Sequence, residues 1–141
     1  MLMIRKINQK EQDTFREFCK QMDVMDSIDS GKVFMGIYIN DQLQGYAKID
    51  FDFSPLPLIK DLQIIDRLEP SSIEGLLRGA LHYCYAKGHK KIAIQDTKIL
   101  EDYLEEALKI TEKESYNDIF FHTLDLNSFF NKPCKGRSLC L

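Results

Sequence analysis

The sequence predicts one α/β domain, with a mixed, mostly antiparallel central sheet and helices on both faces. Three observations predict it. Asn40-Asp41 lies between two strand-like runs and marks a hairpin, which requires antiparallel pairing. Residues 71–87 carry one apolar stripe at helical spacing, and Gly88 follows as a left-handed stop. That helix leads into the short apolar run Lys91-Ile92-Ala93-Ile94-Gln95. A strand, a crossover helix and a returning strand imply a parallel pair in the same sheet.

The elements follow in order. Residues 1–7 alternate weakly and read as a strand. Residues 9–22 put Phe15, Phe18, Cys19 and Met22 on one helical face and Glu11, Asp13, Arg16, Glu17 and Lys20 on the other. Residues 23–31 have no clear period, and a short helix and a folded loop both stay open. Residues 32–40 and 42–51 are the arms of the hairpin. Ser54-Pro55-Leu56-Pro57 then interrupts regular structure, because proline fixes φ and removes a donor. Residues 58–65 read as a central fourth strand through Leu62, Ile64 and Ile65. Ser71-Ser72-Ile73-Glu74 has the pattern of a capping box, in which Ser71 accepts from the backbone three residues on and Glu74 reaches back. Ile73, Leu76, Leu77, Ala80, Leu81 and Cys84 form the stripe of this helix. Residues 99–108 make a further helix with Tyr103, Leu104, Ala107 and Leu108 inward. Residues 109–114 and 119–124 are strand candidates around a polar turn at 115–118. In the tail, residues 126–141, Phe129-Phe130 has two open roles: packing on the domain's own core, or anchoring a second subunit in a homodimer.

Composition narrows the function. The 141 residues suit a single domain, and 44% hydrophobic with 29% charged residues is globular. A net charge of −3 gives no footprint for nucleic acid or an anionic membrane surface. The apolar runs are too short to span a bilayer and the N-terminus lacks a cleavable signal pattern, so a cytoplasmic protein is expected. Cys19, Cys84, Cys134 and Cys140 form no Cys-x-x-Cys pair, and His82, His89 and His122 do not cluster with them, so no metal site is expected.

One stretch carries a resemblance. Gly75-Leu76-Leu77-Arg78-Gly79-Ala80-Leu81, followed by Ala86-Lys87-Gly88-His89-Lys90-Lys91-Ile92, resembles the central helix and fifth strand of the GCN5-related N-acetyltransferases (GNAT). The order of elements over residues 1–125 resembles that fold as well. The resemblance implies acetyl-CoA as cosubstrate and an amine, on a small molecule or a peptide, as acceptor. It implies that strand amides near Leu62 and Ile64 hold the pantetheine arm. It implies that Arg67, Ser71, Ser72, Ile73 and Gly75, at the helix N-terminus, face the pyrophosphate. It implies Tyr103 as the acid that protonates the departing thiolate, with Asp61 or a water as base.

The chain departs from the family pattern in the phosphate loop. Leu68 stands where the family has a basic residue, and Ser71 and Ile73 stand where it has glycines. Glu69 and Glu74 bring like charge to a pyrophosphate, and Lys109-Ile110 replaces the family's Gly-Phe. A non-catalytic binding or regulatory module, its cofactor site closed by Leu68, Ile73 and Glu74, is the alternative reading.

Overall fold

Asn40 and Asp41 both adopt positive φ, 51° and 65°, the backbone that a two-residue hairpin turn requires. The predicted hairpin forms there, and the rest of the sheet grows from it. The computed structural model describes residues 1–28, 32–53, 56–65, 68–95, 114–116 and 118–130. The elements are β1 (Leu2–Lys6), a 3-10 turn (Gln9–Glu11), α1 (Gln12–Gln21), β2 (Val33–Ile39), β3 (Gln42–Asp50), β4 (Leu58–Ile64), α2 (Pro70–Ala86), β5 (Lys91–Gln95), β6 (Glu114–Tyr116), β7 (Ile119–Asp125) and α3 (Leu126–Phe130). Seven strands form one sheet in the order β1-β2-β3-β4-β5-β7-β6. Among the described residues only β4 and β5 run parallel; the other pairs are antiparallel. The mixed, mostly antiparallel sheet of the sequence reading is what forms.

Alternation along the strands gives each face its own core. Ala47 and Ile49 of β3 join Ile37, Ile59, Ile92 and Ile94 beneath α2, whose Leu76, Leu77, Ala80, Leu81 and Cys84 are buried against them. Tyr46, one residue before Ala47, points the other way. It packs with Phe34 and Tyr38 beneath Phe15, Phe18 and Cys19 of α1. A third cluster, Leu58, Ala93 and Phe121, is separate from both.

The start of α2 corrects the sequence reading. Pro70 is the first helical residue and Glu69 the N-cap, with no side-chain cap hydrogen bond. Ser71 therefore lies inside the first turn, and the expected capping box does not form. Proline's fixed φ suits the first helical position and starts the helix one residue early. The polar segment 115–118 is also not simply a turn. Ser115 and Tyr116 belong to β6, paired with Phe120 and Ile119, and the Tyr116 ring meets Phe53 edge-on at 5.7 Å. Cross-strand pairing and this ring contact outweigh the segment's polar composition.

Residues 126–130, after β7, fold back onto α2. Leu126 is fully buried, the Phe129 ring lies under the Arg78 guanidinium at 5.1 Å, and the Phe130 ring is 4.9 Å from Tyr85. Phe129 and Phe130 thus pack on the chain's own core. The expected helix at 99–108, residues 109–113, Arg67, Tyr103, Cys134 and Cys140 lie outside the described residues. No helix of the described residues is long and apolar enough to cross a membrane.

Two local contacts lock the helices onto the sheet. A Cβ on Gly79 would lie 2.6 Å from Ile4 Cγ2, so α2 rests on β1 at a distance only glycine permits. Glu11 ties the entry of α1 to β1 and β2. It takes Arg5 Nη1 and Nη2 at 2.5 and 3.0 Å, the Tyr38 hydroxyl at 2.8 Å and the Asn8 N–H at 3.1 Å. The Arg5 hydrogen bonds, followed by those from Tyr38 and Asn8, overcome burial and bring the Glu11 carboxyl from 4.5 to about 2.

Two predictions follow from these contacts. Gly79→Ala should destabilise the protein by about 1–3 kcal/mol in urea denaturation, because the added methyl must displace Ile4 Cγ2 from 2.6 Å, even though alanine is the better helix former. Glu11→Gln should also lower stability, and its deficit should depend on pH. The carboxylate's contribution is complete above the unfolded value of 4.5 and is lost as pH falls towards the folded value of about 2. Unfolding curves of wild type and Glu11→Gln should therefore converge over that window.

Candidate active site

An extra residue in β4 organises the site. Tyr46 pairs with Gln63 and Lys48 with Lys60, so Asp61 and Leu62 together lie opposite the single residue Ala47. This is a β-bulge. Asp61 carries it at φ 51°, a left-handed conformation that aspartate tolerates better than most side chains.

The bulge coincides with the end of the parallel ladder. β4 and β5 are partnered at Leu58–Ala93 and Ile59–Ile94, while β4 continues to Ile64. Among the described residues no strand pairs with that edge of β4 beyond Ile59. The Ile65 N–H donates to the Gln44 carbonyl at 3.1 Å, towards β3. Strand alternation then directs the Ile64 and Leu62 N–H groups to the opposite, open edge. The Asp61 N–H points there too and meets the side chain of Gln95, with Oε1 at 3.2 Å. A row of amide donors thus lines the edge where the two strands part.

A cluster of polar side chains surrounds the bulge on the α1 side of the sheet. Lys48 Nζ lies 2.7 Å from Asp26 Oδ1 and 3.6 Å from Asp61 Oδ2. The Tyr46 hydroxyl donates a short hydrogen bond to Asp26 Oδ2, and Cys19 Sγ donates to Tyr46 Oη at 3.9 Å. Further along, Asp50 Oδ1 binds Lys32 at 3.0 Å and Asp50 Oδ2 faces Lys60 at 3.6 Å. Burial works against the Lys48 charge, but the hydrogen bond and charge of Asp26, with the charge of Asp61, outweigh it and hold the ammonium above its ordinary value. Burial first, then the Asp26 hydrogen bond, pushes the Tyr46 phenol far up. The Tyr46 hydroxyl thus holds Asp26 in place. Asp61 is the accessible member: its side chain is 41% exposed, against 11% for Asp26 and 13% for Lys48.

The expected site residues divide between the two ends of this arrangement. Leu62 and Ile64 present backbone at the open edge, with Leu62's side chain buried beneath α2. Ser71, Ser72, Ile73 and Gly75 lie in the first two turns of α2. There the Ser72 and Ile73 N–H groups both donate to the Glu69 carbonyl, at 2.9 and 3.2 Å, and Pro70 has no N–H. Leu68 is buried in the core. Gly75 faces Ile4, whose Cδ1 would lie 3.1 Å from an added Cβ. Arg67 and Tyr103 lie outside the described residues. Sequence reasoning picked out Asp61 but missed Asp26, Tyr46, Lys48 and Gln95. The alternation of Tyr46 and Lys48 on one face of β3 was the available signal. Among the described residues no group of three or more His, Cys, Asp and Glu side chains is placed to hold a metal ion.

The mixed seven-stranded sheet flanked by helices matches the fold of solved GNAT acetyltransferases. An N-acetyltransferase from Staphylococcus aureus Mu50 is similar at a TM-score of 0.67 and 14% identity, over 90% of this chain and 99% of that one. A GNAT-family acetyltransferase from Streptococcus pneumoniae is similar at 0.64 and 13%, over 89% and 99%. The PaiA N-acetyltransferase from Thermoplasma acidophilum, solved with coenzyme A, is similar at 0.62 and 13%, over 89% and 99%. No protein-family model and no curated protein sequence matches the chain.

Lys48→Met removes the cation shared by Asp26 and Asp61. It should cost about 2–3 kcal/mol in urea denaturation, because it leaves the poorly exposed Asp26 carboxylate without its charge partner. Adding Asp26→Asn to Lys48→Met should recover part of that loss in a double-mutant cycle.

Proposed function

We propose that this chain transfers an acetyl group from acetyl-CoA to an amine, with the thioester lying along the open edge of β4. The observation that carries the reading is the coincidence at Asp61. The ladder to β5 ends, the backbone turns its amides outward, and an accessible carboxylate stands on the same residue. The fold shared with acetyltransferases, one of them solved with coenzyme A, supports it.

In the proposed step the amine nitrogen attacks the thioester carbonyl carbon and forms the C–N bond. The C–S bond breaks, and its electron pair leaves on the CoA sulfur. Asp61 attracts the incoming ammonium and takes the proton it loses to become the attacking amine; the second proton, shed by the nitrogen as the C–S bond breaks, passes to water. Tyr103 is the proposed donor of a proton to the thiolate. Amide donors near Leu62 and Ile64 hold the pantetheine arm, while the Ser71 N–H, the Ser71 and Ser72 hydroxyls and Arg67 meet the phosphates. Orientation and carbonyl polarisation supply most of the rate in such a step, so few side chains need to be chemical participants. The acceptor is a small molecule or a peptide bearing a primary amine.

A specific observation favours a second reading. Pro70 has no N–H and the Ser72 N–H is taken by the Glu69 carbonyl, so two of the amides that a helix N-terminus would turn towards an anion are missing or engaged. On that reading the fold is a binding or regulatory module whose cofactor site is closed.

Calorimetric titration separates the two. Micromolar binding of acetyl-CoA and CoA, far tighter than that of adenosine 3′,5′-bisphosphate, supports a cofactor cleft that uses the pantetheine arm. With an accepted amine, Asp61→Asn is then expected to lower kcat/KM about 10²-fold or more and leave the dissociation constant for CoA within about twofold. No binding at millimolar ligand by the folded protein would rule out acetyl transfer and leave the closed module.

A further inference from the structure

We propose that Gln95 is a placeholder for the acyl oxygen: its side-chain carbonyl occupies the Asp61 N–H that the thioester carbonyl takes when acetyl-CoA binds. This rests on the acetyl-transfer reading above and adds a residue that sets how tightly the acylated cosubstrate is held.

The geometry begins with the ladder. Leu58–Ala93 and Ile59–Ile94 are its last two partners. In an undistorted parallel pair the next outward-facing amide of β4, that of Asp61, would meet a backbone carbonyl of β5. The bulge prevents this, and the amide instead takes Oε1 of Gln95, the last residue of β5, at 3.2 Å. A side chain thus bridges the point where the backbone ladder stops. Gln95 alternates with Ala93 and so stands on the same face as Asp61's partner Lys48 and the half-exposed Asp61 carboxylate.

The chemistry makes the exchange favourable. A primary amide carbonyl and a thioester carbonyl offer the donor the same kind of acceptor. The bond to Gln95 is neutral and lies at the long end of the N–H···O range. The oxygen of a tetrahedral intermediate carries negative charge and is the stronger acceptor for the same N–H. The Asp61 N–H is part-buried at the end of the ladder, and Gln95 partners it through a side chain that can leave. Gln95 is partly exposed, which gives its amide a route to water on release. With the acyl oxygen on the Asp61 N–H, the reacting carbon lies next to the one accessible carboxylate of the cluster.

The test compares two ligands that differ only in the acyl group. Gln95→Ala should bind acetyl-CoA roughly two- to tenfold more tightly than wild type, the range of one ordinary hydrogen bond. Its affinity for CoA, which has no acyl oxygen, should not change. Gln95→Met keeps the side-chain length without a strong acceptor and carries the same expectation should the alanine variant unfold. Unchanged or weaker acetyl-CoA binding, or a gain shared equally by CoA, overturns the placeholder role and leaves acetyl transfer standing. Failure of both wild type and variant to bind either ligand removes acetyl transfer itself, and the placeholder with it.

Discussion

One extra residue in β4 constrains the rest of this molecule. A regular strand would pair with β3 and β5 along its whole length and present no free backbone. Placing Asp61 and Leu62 opposite Ala47 breaks that symmetry. The β3 side stays paired to the end of β4, with Gly45 against Ile64, while the β5 side ends after two partners. Gly45 helps hold the paired side closed, since a Cβ there would lie 2.6 Å from Ile64 Cγ2 and 3.0 Å from the Gln63 carbonyl oxygen. Among the described residues the opening thus follows from the pairing of the sheet itself.

The two faces answer this opening differently. On the α2 face the core is aliphatic across the strands, from Ile37 to Ile94, so the helix can hold β4 and β5 at fixed positions while they part. On the α1 face the apolar packing divides. The aromatic cluster around Tyr46 and the small cluster of Leu58, Ala93 and Phe121 are separated by a band of two ion-paired triads, Lys32–Asp50–Lys60 and Asp26–Lys48–Asp61. Three lysines face three aspartates, so the band carries no net charge and each poorly exposed carboxylate has a cation. Such pairs add little net stability over apolar packing, but leaving one partner alone is costly. Their presence on this face is better explained by the need for a polar surface beside the bulge than by stability.

The sequence made the larger elements legible because their signals are local. Asn40-Asp41 needs only its own preference for positive φ, and the stripe from Ile73 to Cys84 needs only helical periodicity. The start of α2 was misread because two local signals compete. Pro70 fixes the first helical residue by covalent geometry, which overrides the hydroxyl of Ser71. The site was less legible because it is assembled by register. Asp26 comes from a segment without period, Lys48 and Tyr46 from one arm of the hairpin, and Gln95 from the end of a strand 34 residues beyond Asp61. Only Asp61 could be singled out, as a carboxylate on the fourth strand. Its positive φ was not visible, because the bulge is set by pairing with β3 and not by the residues around Asp61.

The two ends of the cleft are unequally equipped, and this bears on how a cosubstrate would be held. At the α2 end the first turn opens with proline, the Ser72 and Ile73 amides are engaged by the Glu69 carbonyl, and Glu69 is the N-cap with Glu74 following in the second turn. Each such carboxylate disfavours an anion at a helix N-terminus by about 0.3–1 kcal/mol. At the β4 end a row of backbone amides, a bulge and an accessible carboxylate converge within a few residues. A ligand bound across both ends would draw its affinity mainly from the pantetheine and acyl portion and little from the phosphates. Under that distribution a single hydrogen bond at Asp61 is a large share of the total, and a side chain such as Gln95 that competes for it becomes an effective control on binding.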